Sequence, residues 1–185
     1  MDERDMKEAR IFLNAHNTLT LATIGSRGEP QAADLYYALL DPARSAHSSR
    51  GACTRDCRDL ELCFISASSA PLATTGDYRP LATTGDYRRH VANIARDPRV
   101  ACTIHASSTR WRDIRGIQME GTCSRLAAPQ SARAWACYLA RFPFVVTDTL
   151  LTAALEKVDI YRITPHWLLW IDNSVSLGHK VEYRL

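Results

Sequence analysis

Short runs in which apolar and polar residues alternate, separated by turn formers, leave this chain few ways to fold. Thr18-Leu-Thr-Leu-Ala-Thr-Ile24 is β-branched and alternating, residues 25–30 are rich in turn formers, and residues 31–40 regain strand character. Together they read as a β-hairpin. The same period of two runs through residues 60–66, 99–105 and about 114–126, and again through 158–163, 167–171 and 180–184. Helical spacing is confined to the flanks. Met6, Ala9, Phe12 and Leu13 form an apolar stripe on an opening helix over 2–16, and a short helix over 87–96 stops before Asp97-Pro98. Pro129 opens a helix that carries Trp135, Tyr138 and Leu139, and a further short helix covers about 147–156. Strands in neighbouring runs with helices beside them predict a mainly β fold, an antiparallel sheet or small barrel with flanking helices, and disfavour a doubly wound parallel sheet.

Composition narrows the function classes. The 185 residues carry 23 Lys plus Arg against 20 Asp plus Glu, a formal charge of +3, which is too small for a protein that coats nucleic acid. Hydrophobic residues at 46% are enough for a core in a chain of this length, and one domain is expected. No apolar run reaches the roughly 18 residues of a membrane span, and the first residues lack the apolar centre of a signal peptide, so a cytoplasmic protein with reduced thiols is expected. Neither Gly-x-Gly-x-x-Gly after a strand nor Gly-x-x-x-x-Gly-Lys-Ser/Thr occurs, which excludes the two common glycine-rich phosphate loops. Most of the basic residues are Arg, the better bidentate partner for phosphate. A GC-rich coding bias explains that excess as a whole, so individual Arg residues are judged by position.

Two stretches break the alternation. Residues 71–79, Pro-Leu-Ala-Thr-Thr-Gly-Asp-Tyr-Arg, are repeated without change as 80–88, and residues 42–58 are rich in Ser, Arg and Cys with no periodicity. Two copies of so short a unit do not make a solenoid, and both stretches (42–58 and 70–88) read as loop insertions between strands.

The segment Arg88-Arg-His-Val-Ala-Asn-Ile-Ala-Arg-Asp-Pro-Arg-Val100 places Arg89 and His90 at the opening of a helix, where unpaired backbone N–H groups favour an anion. Ser66, ending the preceding strand, offers a hydroxyl. A solvated basic helix start is the alternative. In order along the chain, Phe64-Ile-Ser66, the Arg-His-x-x-Asn-Ile-x-x-Asp-Pro-Arg-Val series and Arg115-Gly-Ile-Gln-Met-Glu-Gly121 resemble the FMN-binding split-barrel family typified by pyridoxamine-phosphate oxidase. The resemblance extends to the opening hairpin and to Trp170-Ile-Asp-Asn-Ser-Val-Ser-Leu-Gly-His-Lys180. It implies a split β-barrel that forms a homodimer with FMN at the interface and acts on a small molecule. By the same resemblance Arg89 and His90 grip the FMN phosphate, and Ile65 and Ser66 line the phosphate and ribityl chain. Arg115 and Gly116 lie near the flavin ring, and Trp170 and Lys180 reach it from the second subunit.

Departures from the family are equally informative. The Arg and His with which the oxidase holds pyridoxamine phosphate fall at Ser176 and Gly178, and basic positions of its second strand are Ala33 and Ala38. That substrate is not expected. The duplicated loop enters between Ser66 and Arg89, beside the phosphate site. Two alternatives stay open: a flavin- or haem-binding carrier or sensor without turnover, and a split-barrel dimer that has lost its ligand. A rival cluster, His47, Cys53, Cys57 and Cys63, has one Cys-x-x-x-Cys spacing but matches no standard zinc finger, and ordinary reduced thiols are expected there.

Overall fold

A computed structural model describes residues 3–40, 60–67 and 89–185. The expected insertions therefore lie outside the described residues, as do His47, Cys53 and Cys57. Helix α1 (Glu3–Ala15) leads into β1 (Thr18–Ile24), β2 (Pro30–Tyr36) and β3 (Ala38–Leu39), followed by β4 (Leu62–Ala67) and α2 (Arg89–Arg96). Strands β5 (Arg99–His105) and β6 (Arg115–Arg125) precede α3 (Gln130–Arg141), α4 (Phe144–Thr147) and α5 (Thr149–Ala154). The chain then closes with β7 (Val158–Asp172) and β8 (Lys180–Arg184).

All eight strands belong to one antiparallel sheet in the order β2-β1-β5-β6-β7-β4-β3, with β8 added alongside β7. The two ends of that order, β2 and β3, are separated in sequence only by Tyr37. The sheet therefore curls until one continuous stretch of chain completes both sides, which makes it a barrel and leaves few open edges. Tyr37 turns this corner fully buried, its amide donating to Asn17 O at 3.0 Å and its hydroxyl to Leu13 O at 2.7 Å.

The alternation read from the sequence sorts the strands into two faces. Leu19, Leu21, Ile104, Ile117, Met119, Ile163 and Trp170 point into the barrel, and Met6, Ala9, Phe12 and Leu13 of α1 pack onto that core. A second cluster lies outside it, where Ala134, Cys137 and Tyr138 of α3 cover Ala38, Cys63 and Ile160. Strand β4 is thus buried on both faces, Leu62 and Phe64 inward and Cys63 outward, which explains its run of consecutive apolar residues. Truncating a fully buried leucine such as Leu21 to Ala costs about 2–5 kcal/mol in settings of this kind. Arg141 at the end of α3 donates through Nη2 to the carbonyls of Asn14 and His16, capping the C-terminus of α1.

Three expectations are revised. The predicted strands 158–163 and 167–171 are one strand, β7. Its partner β6 shifts register between Glu120 and Gly121, and Pro165 pairs with Gly121 at that irregularity, where a missing N–H is tolerated. The helix expected over about 147–156 is split: Asp148 ends α4 and caps α5, its carboxylate accepting from Leu150 N at 2.9 Å and Leu151 N at 3.2 Å. The single strand expected over 31–40 breaks at Tyr37. Among the described residues, no helix is long and apolar enough to cross a membrane.

Candidate functional site

Strand β4 ends beside the start of α2, and the two meet through side chains. Ser66 Oγ lies 2.7 Å from His90 Nε2, and both residues are buried. The other ring nitrogen, His90 Nδ1, is buried with no hydrogen-bond partner among the described residues. Burial holds the His90 pKa below its usual 6.5, so the imidazole is neutral at neutral pH. When the Ser66 hydroxyl donates to Nε2, the proton sits on Nδ1, a buried donor that lacks an acceptor. A phosphate oxygen is such an acceptor. Arg89 is exposed at the first position of α2, so a guanidinium, an imidazole and the positive end of a helix dipole gather at one place.

Helix α2 is fixed there by polar bonds that the sequence does not advertise. Asn93 Nδ2 donates to Thr23 Oγ1 at 3.0 Å and to Gln31 Oε1 at 2.9 Å, tying the helix to β1 and β2. Arg96 Nη2 donates to Asn93 Oδ1 at 3.3 Å and also to Ile24 O. Val91 and Ile94 bury the apolar side of the same helix. At its exit Arg99 hydrogen-bonds the Asp97 carboxylate and holds its pKa down to about 2. One sign of the Asn93 lock was available: an asparagine beside the apolar Val91 and Ile94 positions of a short helix.

A second group sits at the far end of β7. Arg115 donates through Nε at 3.1 Å and Nη2 at 3.0 Å to Asp172 Oδ2, and Glu8 lies 3.6 Å from Nη2. The guanidinium carbon is 5.3 Å from the centre of the Trp170 ring. Trp170 itself is fully buried, edge-on to Phe12 at 5.2 Å. Its ring is part of the barrel core, so within one chain it supports Arg115 and presents no open wall to a ligand. Gly116 pairs with His105 and with Ile171, and a Cβ there would come within 3.1 Å of Ile104 O. Lys180 is exposed on β8 opposite Ile171, and Ile65 is half-buried on β4 opposite Ile160.

The eight sequence candidates therefore fall into two sets. Ser66, Arg89 and His90 gather at the start of β7, where Ser66 pairs with Asp159, with Ile65 on the opposite face of β4 against the α3 cluster, whereas Arg115, Gly116, Trp170 and Lys180 cluster around Ile171 and Asp172. Roughly 40 Å of strand separates the two ends of β7. A cavity of about 500 Å³ lined by Arg10, Leu40, Leu60 and Arg141 contains none of the eight. Three buried thiols are chemically quiet, since desolvation pushes Cys63, Cys102 and Cys123 up to about 12. Cys63 in particular points toward Ala134 O at 3.7 Å, inside the packing between β4 and α3.

No family model and no curated protein matches the sequence. Solved structures do match the shape. A heme binding protein from Mycobacterium smegmatis aligns over 97% of this chain with 18% identity and a TM-score of 0.64; the chain spans 57% of that protein's length. A protein from Clostridium acetobutylicum related to general stress protein 26, of the pyridoxinephosphate oxidase family, aligns over 100% of this chain and 97% of its own, with 11% identity and a TM-score of 0.57. The chain is a split β-barrel. HutZ, the heme storage protein of Vibrio cholerae, shares the split-barrel shape over 86% of this chain and 88% of its own, with 14% identity and a TM-score of 0.52. At these identities the likeness is one of fold, and function is argued from the split barrel's own residues.

Proposed function

We propose that this split barrel binds FMN as a homodimer and uses it for redox chemistry on a small molecule. The observation that carries the reading is the buried, unpartnered His90 Nδ1 beside Ser66 and Arg89 at the start of α2. A phosphate placed there accepts from the imidazole, meets the guanidinium of Arg89 and lies on the helix dipole. When bound, FMN supplies electron and hydride transfer, and the protein contributes orientation and charge. Lys180, exposed on β8, provides positive charge that favours a reduced, anionic ring, and Arg115, its charge paired with Asp172, provides a hydrogen-bond donor. Because the strand length of β7 separates them from Ser66 and His90, one flavin draws its phosphate contacts from one chain and its ring contacts from the other.

Purified protein is expected to be yellow and to quench FMN fluorescence on titration. Arg89→Ala removes charge-assisted hydrogen bonds to phosphate, each worth about 1.5–3 kcal/mol, so affinity is expected to fall roughly 10- to 100-fold. Colourless protein that leaves FMN fluorescence unchanged sinks the reading and favours a barrel without this ligand. A haem carrier is the second reading, supported by structural neighbours that include a heme binding protein and a heme storage protein. Hemin titration followed by its Soret band separates the two, since tight hemin binding that excludes FMN supports the carrier.

A further inference from the structure

We infer that Asp172 positions Arg115 for the flavin ring, an inference that rests on the proposed FMN site. Asp172 is the last residue of β7 and is 4% exposed, unusual for a carboxylate. Each of its oxygens has a separate task. Oδ2 accepts from Nε and Nη2 of Arg115 at 3.1 and 3.0 Å, whereas Oδ1 accepts from Ser174 N at 2.9 Å and Ser174 Oγ at 2.6 Å. Ser174 thus fixes the carboxylate, and the carboxylate fixes one edge of the guanidinium.

The remaining surroundings leave Arg115 little choice of rotamer. The Trp170 ring lies 5.3 Å from its guanidinium carbon, and Glu8 of α1 approaches Nη2 at 3.6 Å. A carboxylate this buried is costly without its cation, so Arg115 does not swing away freely. The side chain as a whole is 36% exposed, so the guanidinium is held without being enclosed. The arrangement is a guanidinium ordered in advance of its ligand, which lowers the entropy lost on binding. A mere tie between the ends of β6 and β7 is the competing explanation, and it makes a different prediction.

The experiment is a double-mutant cycle on FMN affinity, read by flavin fluorescence and by the position of the visible flavin band, with thermal melting and near-ultraviolet circular dichroism of each variant. Asp172→Asn and Arg115→Ala are each expected to weaken FMN binding about tenfold, and the double variant to be no weaker than Arg115→Ala alone. Ser174→Ala, which keeps the charge but loosens the carboxylate, is expected to weaken binding by a smaller factor in the native background and by none when Arg115 is already Ala. It also serves where Asp172→Asn proves unfolded. Native FMN affinity and an unshifted band in Asp172→Asn, or losses that multiply in the double variant, overturn the positioning role while leaving the FMN site standing. Absence of FMN binding in the unmodified protein overturns the site itself, and the inference with it.

Discussion

His90 couples the stability of the split barrel to pH. Its pKa is depressed by burial, so as pH falls through about 6.5 the unfolded chain takes up a proton that the folded chain resists. Stability is therefore full above that pH and declines below it, until the folded pKa is passed. Urea midpoints measured between pH 8 and pH 5 are expected to fall on the acid side, and His90→Gln, which stays neutral, is expected to flatten that decline. An unchanged acid slope in the variant assigns the effect to other groups. At this scale the sequence was partly legible. Arg89 and His90 stood together ahead of an amphipathic helix and Ser66 ended a strand, but the contact between Ser66 Oγ and His90 Nε2 was not written in their spacing. The ties of Asp172 and Asn93 were less legible, because their partners are distant in sequence: Arg115 for Asp172, and Thr23 and Gln31 for Asn93, whose place beside Val91 and Ile94 was the one sign. Trp170 was expected to reach the flavin from the second subunit, and its packing against Phe12 within its own chain was not legible in the sequence.

Element boundaries followed the period-two pattern wherever one face of a strand is buried, as in β1 and β5. The pattern failed at residues 164–166, left between two predicted strands, because a register shift in the neighbouring strand accommodates Pro165 and β7 runs on. That shift depends on Gly121. A Cβ built there would stand 2.4 Å from Thr164 O and 2.8 Å from Pro165 Cα, both backbone atoms that a side-chain adjustment cannot move. Gly121→Ala is expected to destabilise the fold by about 1–3 kcal/mol, the range for overpacking, measurable as a lower denaturant midpoint. A midpoint equal to that of the unmodified protein means that β6 and β7 slide past one another more easily than their pairing suggests.

At the scale of the whole molecule, the fold class was legible because strands such as β1 and β5 carry their own alternation, and the order of motifs pointed to the split-barrel fold. What could not be read was the division of the candidate residues between opposite ends of β7, since linear order says nothing about which end of a sheet a residue occupies. That division makes a shared site testable. Arg89→Ala and Arg115→Ala, each weak in FMN binding alone, are expected to regain one full-affinity site per heterodimer when co-expressed, because one site then receives Arg89 and Arg115 from different chains in native form. No recovery in an isolated heterodimer places all the ligand contacts within one chain or removes the FMN reading.

Strand β4 also explains what kind of sequence change this lineage can absorb. It is gripped by β3 on one side, by β7 on the other and by core on both faces, while residues 41–59 and 68–88 join it to the rest of the chain. Where both ends of a connecting segment are held, nine residues added to about a dozen raise the closure cost by roughly half a kcal/mol, and the copied unit 71–79 has that length. Ala67 and Arg89 are each held by the fold, so the sequence between them, where the nine-residue copy falls, can change length at lower cost than the paired strands β6 and β7.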